Sequence, residues 1–164
     1  MLTASADTGA AFTGTEKGDV FKVGETLISS GYYDVDGSGE PDTFVNQYTS
    51  HLNSLDVLDG GAGKDTLNVE TEGAIATVTA NISNIETINL KSGSTVTFDT
   101  TTYTGVETLN VTKATTSATL DAAATTDVNV SGITTGAVSV DGGKNVNVTV
   151  ADTGTNTTIT LTAG

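Results

Sequence analysis

One short pattern recurs along the chain at steps of 18 to 21 residues. Residues 65–69, 86–90 and 107–111 read Asp-Thr-Leu-Asn-Val, Glu-Thr-Ile-Asn-Leu and Glu-Thr-Leu-Asn-Val, and an apolar–Asn–apolar core returns at residues 128–130 and 146–148. Because side chains alternate between the two faces of a strand, the apolar residues share one face and the asparagines the other. A unit of this length cannot bury its apolar face alone and does so by stacking on its neighbours.

A second strand is predicted in each repeat, a little further along the chain. Its apolar pairs are separated by one Thr or Ser, and they are Ala76/Val78, Val96/Phe98, Ala118/Leu120, Val138/Val140 and Ile159/Leu161. Helical periodicity is nearly missing, while Thr and Val, which favour strands, are frequent. We therefore expect an all-β chain folded as a parallel β-solenoid of about seven coils, with two short strands per coil and longer loops in the N-terminal coils.

The repeat also extends towards the N-terminus. Residues 19–21 and 42–44 align with residues 65–67, which predicts an apolar column of Phe21, Phe44, Leu67, Ile88, Leu109, Val128 and Val146. Two positions earlier a second column runs Asp19, Asp42, Asp65, Glu86, Glu107, Thr126 and Lys144, from acidic through neutral to basic. Carboxylates stacked at coil spacing repel by roughly 1 kcal/mol per neighbouring pair. The acidic part of the column therefore favours a bound cation.

The charge is unevenly distributed along the chain. Its 164 residues carry 20 acidic side chains against 6 lysines, for a formal net charge of −14, and 13 of the acids fall within residues 1–72. We interpret residues 1–164 as a single β-solenoid that is a fragment of a longer chain. Residues 1–72 form its acidic, Gly- and Asp-rich coils, and residues 73–164 form regular Thr- and Asn-rich coils.

Composition also excludes several classes of function. A phosphate backbone or an anionic membrane is bound through clustered Lys and Arg, which this chain lacks, so nucleic acid is not an expected partner. No apolar run is long enough for insertion into a membrane. With a single histidine and no cysteine, few of the known combinations of catalytic side chains can be assembled, and we expect the chain not to be an enzyme.

Residues 60–68 indicate calcium. They read Gly-Gly-Ala-Gly-Lys-Asp-Thr-Leu-Asn and match the calcium-binding nonapeptide G-G-x-G-x-D-x-U-x of β-roll proteins at every position. The glycines allow a tight turn that exposes backbone oxygens, and the aspartate adds a carboxylate, which suits a cation that binds about six to eight oxygens. One nonapeptide is half a site, so the other ligands must come from neighbouring loops.

Neighbouring acidic loops supply the candidates. Residues 34–42 follow the pattern D-x-D-G-x-G-x-x-D, two aspartates precede the nonapeptide, and residues 14–19 are a degenerate copy of it. We predict a Ca²⁺ cofactor held by Asp19, Asp34, Asp36, Asp42, Asp56, Asp59, Gly61, Gly63 and Asp65. Ordinary Asx and glycine turns are the alternative interpretation. A second aligned set, Asp99, Asp121 and Asp141, is interpreted as turn-capping.

The order of these motifs resembles a known family. Residues 55–69, followed by Ile82-Ser83-Asn84-Ile85-Glu86-Thr87-Ile88-Asn89-Leu90 and then residues 105–111, are similar to the repeat region of RTX-related bacterial S-layer proteins that are exported by type I secretion. The resemblance covers most of residues 2–111, although this chain has one full nonapeptide rather than a tandem array.

The resemblance implies an extracellular role. It points to a calcium-ordered structural segment of a bacterial surface layer, which associates with copies of itself in a lattice or end to end. Parts of a longer chain would contact cell-surface polysaccharide. A calcium-stabilised module of a secreted RTX adhesin is the alternative.

Overall fold

The computed structural model describes residues 11–33, 43–50, 52–54, 56–77, 79–150 and 158–162. Within these ranges the chain forms strands and turns, and no helix there is long and apolar enough to cross a membrane. In chain order the strands are β1 (Ala11–Thr13), β2 (Val20–Val23), β3 (Glu25–Tyr33), β4 (Thr43–Ser50), β5 (Val57–Asp59), β6 (Thr66–Thr71), β7 (Asn81–Ser83), β8 (Thr87–Ser92), β9 (Val96–Asp99), β10 (Thr108–Ala114), β11 (Ala118–Ala122), β12 (Asp127–Ile133), β13 (Val138–Gly142), β14 (Asn145–Val150) and β15 (Ile159–Thr162).

The strands stack in parallel as a β-solenoid of about five turns, which confirms the predicted fold class with fewer coils than the expected seven. The largest sheet has the order β14-β12-β10-β8-β6-β2, a second has β15-β13-β11-β9, and a third, shorter sheet has β1-β5-β7. Strands that are adjacent in a sheet are one coil apart in sequence. Each sheet is therefore one side of the same winding.

The predicted apolar columns form the core. Leu67, Ile88, Leu109 and Val128 stack in register and are fully buried. Two residues further along each strand, Val69, Leu90, Val111 and Val130 form a parallel column that is almost as completely buried. The alternation read from the sequence thus places these side chains inside, because every coil repeats it at the same position.

The asparagines of the repeat form a hydrogen-bonded ladder on the outer face. Asn89 Nδ2 donates to Asn68 Oδ1 over 2.9 Å, and Asn110 Nδ2 donates to Asn89 Oδ1 over 2.8 Å. The same bond continues from Asn129 to Asn110 at 2.9 Å and from Asn147 to Asn129 at 3.1 Å. An amide carries both a donor and an acceptor, so one residue type can bridge coil after coil.

The prediction of a coil through Phe44 is wrong. Phe21 pairs directly with Leu67, while β3 and β4 pair antiparallel as a separate two-stranded sheet, with Phe44 opposite Tyr32. Strands β3 and β4, which come between the first and second coils in the chain, therefore form a hairpin outside the parallel stack. Antiparallel strands satisfy each other's backbone groups, so this pair needs no place in the stack.

Glu25 fastens the base of this hairpin to the next coil. Its carboxylate accepts hydrogen bonds from the backbone N–H groups of Glu72, at 2.9 Å, and Gly73, at 3.3 Å, and from the Thr71 hydroxyl. The chain leaves the first coil at Gly24. The Glu25 carboxylate thus satisfies N–H groups of the turn after β6, at the point where the chain leaves the first coil to form β3.

The second column of paired apolar residues is confirmed except in its first pair. Val96/Phe98, Ala118/Leu120, Val138/Val140 and Ile159/Leu161 align in register. In the preceding coil Ile75, rather than Ala76, bridges Val96 and is buried, whereas Ala76 is exposed and Val78 lies outside the described residues. The number of residues from Asn68 to Ile75 equals the number from Asn89 to Val96, so the turn between the two columns has the same length in both coils.

Candidate metal centre

Two glycine-rich turns stack on each other at the acidic end of the solenoid. In the turn of residues 60–65, Gly61 and Gly63 have positive φ angles of 85° and 122°, which favour glycine. A Cβ atom on Gly61 would lie 2.7 Å from the backbone oxygen of Thr15, and one on Gly63 would lie 2.7 Å from the carbonyl carbon of Lys17. The nonapeptide glycines are thus required by the close approach of the turn of residues 14–19.

Asp65 is the residue of this turn that stands out chemically. Its side chain is only 1% exposed, and its Oδ1 atom accepts the backbone N–H of Asp19 over 2.6 Å. Its Oδ2 atom is buried and has no hydrogen-bond partner. A buried carboxylate oxygen without a partner is costly, so a cation or water at this atom would remove a real penalty.

Hydrogen bonds from backbone N–H groups to carboxylates link the acidic column between successive coils. The backbone N–H of Asp65 donates to Glu86 Oε2 over 2.7 Å, just as that of Asp19 donates to Asp65. Further along, Glu107 forms an ion pair of 2.6 Å with Lys64, and the pKa of Lys64 is raised by its hydrogen bond to Glu107. Each carboxylate thus meets an N–H or an ammonium, which offsets part of the expected repulsion.

Asp19 closes its own turn. Its Oδ2 atom accepts the backbone N–H of Thr15 over 2.6 Å and the Thr15 hydroxyl over 2.9 Å. The backbone N–H of Lys17 in turn donates to the Thr15 hydroxyl oxygen over 3.2 Å. This is the geometry of a turn cap, the alternative interpretation for this position.

Asp56 and Asp59 also accept hydrogen bonds from local backbone groups. The Asp56 side chain is buried, and its Oδ2 atom accepts the N–H of Asn53 over 2.9 Å. Asp59 Oδ1 accepts Asn84 Nδ2 at 2.8 Å and the N–H of Gly61 at 3.1 Å. These two bonds, the first above all, hold the pKa of Asp59 below its ordinary value. The nonapeptide turn is thus tied at its entry to the following coil through Asn84.

Three further predicted ligands, Asp34, Asp36 and Asp42, lie outside the described residues. Among the residues that the structure does describe, no three Asp, Glu, His or Cys side chains converge as a metal-binding group.

The fit to calcium is correct in donor type but incomplete in donor number. The cation prefers hard oxygen ligands, and Asp65 presents one that is buried and unpaired. Asp19, Asp56 and Asp59 are close to the turn in sequence or in the stack, but the oxygens described above already accept hydrogen bonds.

The second aligned set of aspartates lies on a different face. Asp99, Asp121 and Asp141 occupy the same register position on β9, β11 and β13. Desolvation, followed by the negative charges of Asp99 and Asp141, raises the pKa of Asp121. Asp99 Oδ1 accepts the backbone N–H of Thr101 at 2.7 Å, which is the predicted turn-capping bond.

Three residues of this region were missing from the predicted site. Glu86 belongs to the acidic column, and its charged register position was a signal for it. Asn84, whose amide binds Asp59, has a positive φ of 52°, a conformation that Asn tolerates better than most residues. Glu25 bonds to residues 46 to 48 positions away, and no local pattern marks it.

Compared with protein-family models, curated proteins and solved structures, the chain matches none of them.

Proposed function

We propose that the chain is a structural, non-catalytic β-solenoid segment of a bacterial surface layer, stabilised by calcium at its acidic end. The observation that carries the calcium proposal is the buried, unpaired Oδ2 atom of Asp65 inside the stacked glycine turns. Asp65 is the anchoring ligand in this proposal. Bound Ca²⁺ would offset part of the negative charge of the column and join the first two coils of the winding.

The architecture supports a structural role. Apolar columns and backbone bonds repeat along the described solenoid, and the asparagine ladder joins β6 to β14, so that force applied along the stack is shared by many equivalent contacts. The extracellular surface-layer assignment comes from the sequence resemblance alone. Self-association follows from the same resemblance.

The experiment is a calcium titration of the metal-free chain by calorimetry, combined with thermal unfolding in Ca²⁺ and in chelator. At a free Ca²⁺ concentration of about 100 times Kd, binding adds about 2.7 kcal/mol to the free energy of unfolding. For a chain of this size that corresponds to a rise in Tm of roughly 5–10 °C. We expect Asp65→Asn to abolish most of this rise.

Asp99→Asn is the matched control, because it removes one negative charge outside the acidic column and retains an oxygen that can cap the turn. It should keep the full response to calcium. Should Asp65→Asn fold poorly, hydrogen exchange of the wild-type chain gives the same information. Calcium should then protect residues 14–19 and 60–65 more than residues 108–150. A wild-type Tm that is the same in Ca²⁺ and in chelator would refute the proposal.

A further inference from the structure

The side chain of Lys64 reaches across two steps of the acidic column. Lys64 belongs to the turn before β6, yet its Nζ atom lies 2.6 Å from Glu107 Oε2 in the turn before β10. Neighbouring strands of a sheet are about 4.8 Å apart, so this contact spans the coil that contains Glu86. The hydrogen bond to Glu107 above all, together with the negative charges of Glu107 and Glu86, raises the pKa of Lys64. One ammonium group therefore interacts with both acids that follow Asp65 in the column.

The turns of Glu86 and Glu107 supply no positive charge of their own at the position of Lys64. The residues that directly precede the members of the column in successive coils are Gly18, Lys64, Ile85, Val106, Thr125 and Gly143. Only one of them is basic, and Ile85 and Val106 are buried in the core. The charge that compensates these two acids therefore comes from an earlier coil.

The beginning of the column differs from this arrangement. Within the described part of the chain, no lysine forms an ion pair with Asp19 or Asp65. Asp65 Oδ2 is buried without a hydrogen-bond partner, whereas Glu107 Oε2 accepts a bond from the Lys64 ammonium group. In the first coil the position of Lys64 is taken by Gly18, which has no side chain that could act in the same way. Asp19 and Asp65 thus depend on a cation from solution, while the later acids have one attached to the chain.

We propose that Lys64 is a built-in counter-ion, which takes the place of a metal ion beside Glu86 and Glu107 and leaves Asp65 as the anchoring ligand for calcium. Because the ammonium group is tethered, its effective concentration beside Glu107 is high, and Ca²⁺ in solution competes poorly for the same oxygens. Lys64 occupies a variable position of the nonapeptide, where the motif itself requires no charge. The inference rests on the proposed function and specifies where along the column the metal binds.

The experiment compares calcium binding by the 164-residue wild-type chain with binding by Lys64→Met, which keeps much of the side chain's length and removes its charge. Lys91→Met is the matched control, because Lys91 forms an exposed ion pair with Glu70 of the adjacent coil, outside the acidic column. Exposed ion pairs contribute little to stability, so both variants should fold, which circular dichroism checks. Lys64→Gln is a second neutral variant for the case that Lys64→Met folds poorly.

We expect Lys64→Met to bind one Ca²⁺ ion more than the wild type, with a Kd of about 0.1–1 mM, as is usual for weak calcium sites. Isothermal titration calorimetry counts the ions, and any that bind elsewhere in the chain cancel in the comparison. At a free Ca²⁺ concentration of about ten times this Kd, the additional ion should raise Tm by about 3–6 °C beyond the rise in the wild type. Lys91→Met, and Lys64→Arg, which retains the charge, should bind calcium as the wild type does.

A further substitution, Glu107→Gln in the Lys64→Met background, locates the additional ion and should remove most of its binding. The proposal is overturned if Lys64→Met binds no more calcium than the wild type, if Lys91→Met gains the same ion, or if Glu107→Gln leaves that ion in place. Asp65→Asn separates this proposal from the proposed function. Wild-type binding that Asp65→Asn abolishes, with no additional ion in Lys64→Met, would retain the calcium site and refute the counter-ion. An additional ion in Lys64→Met, with no binding by the wild type, would show the reverse.

Discussion

The asparagine ladder permits a position-dependent test of how the coils are joined. Asn110 lies in its middle, where it donates to Asn89 at 2.8 Å and accepts from Asn129 at 2.9 Å. Asn147 lies at its end, where the structure shows a single ladder bond, at 3.1 Å, to Asn129. The substitution of either by alanine makes the same chemical change in the same column. Only the number of amide bonds removed, and their burial, differs.

The expected cost follows from that number. A hydrogen bond contributes about 0.5–1.5 kcal/mol to stability, so two bonds amount to about 1–3 kcal/mol. Asn110 is half-buried and its former partners can partly turn to water, which favours the lower part of that range, about 1–2 kcal/mol. Asn147 is exposed and should cost less than about 1 kcal/mol.

Equilibrium unfolding in urea measures both free energies, and thermal unfolding should show a loss of about 2–8 °C for Asn110→Ala in a chain of this size. Hydrogen exchange should locate the weakening to the amides of β8, β10 and β12. Equal losses for the two variants, or no measurable loss for Asn110→Ala, would show that the ladder is a by-product of strand stacking and contributes nothing of its own.

Two further predictions concern a turn and a charged column. Gly142 has a φ of +79°, and a Cβ atom there would lie 2.0 Å from the carbonyl oxygen of Ala122, so Gly142→Ala should lower the free energy of unfolding by more than about 1 kcal/mol. Gly24→Ala, where nothing lies within 4 Å, is its control and should show no comparable loss in urea unfolding. The pKa of Asp121 is raised in the folded state, so its charge destabilises the fold increasingly as pH rises through that pKa, and the cost disappears at low pH. Asp121→Asn should therefore raise Tm at pH 7 and leave it unchanged below the ordinary pKa of aspartate, and an equal effect at both pH values would contradict this explanation.

The parts of the fold that could be predicted are those that repeat. Leu67, Ile88 and Leu109 could be aligned by eye, because parallel coils stacked in register demand the same residue type at the same position. The outer asparagines follow from the same alternation. The prediction failed at Ala76, where the apolar–Thr–apolar pattern of Ala76 and Val78 imitates the second strand, whereas Ile75 keeps the same step from Asn68 as Val96 keeps from Asn89 and lies in the column.

The hairpin escaped prediction because its strands imitate a coil. Residues 42–44 share the acid and apolar spacing of residues 65–67, and spacing alone carries no information on strand direction. Strand direction depends on whether β4 pairs with β3 or with a strand of the stack, which the spacing does not reveal. The hydrogen bonds of Glu25 to residues 71–73 form where β3 leaves the stack, and no local sequence pattern marks them.

The candidate metal site was likewise predictable in part from the sequence. The positive φ angles of Gly61 and Gly63 were implied by the nonapeptide, because only glycine adopts such turns readily. The roles of its carboxylates were not. Asp19 and Asp59 accept bonds from nearby N–H groups, while Asp65 retains a buried oxygen without a partner.

The amino-acid sequence by itself determined the repeat, and with it the columns of the core and the face on which the asparagines lie, since these depend only on the period of alternation. Tertiary structure alone decided which strands are neighbours across the inserted hairpin and which carboxylates are satisfied. Those outcomes depend on contacts between residues far apart in the chain, where direction, burial and hydrogen-bond geometry are set by the whole stack.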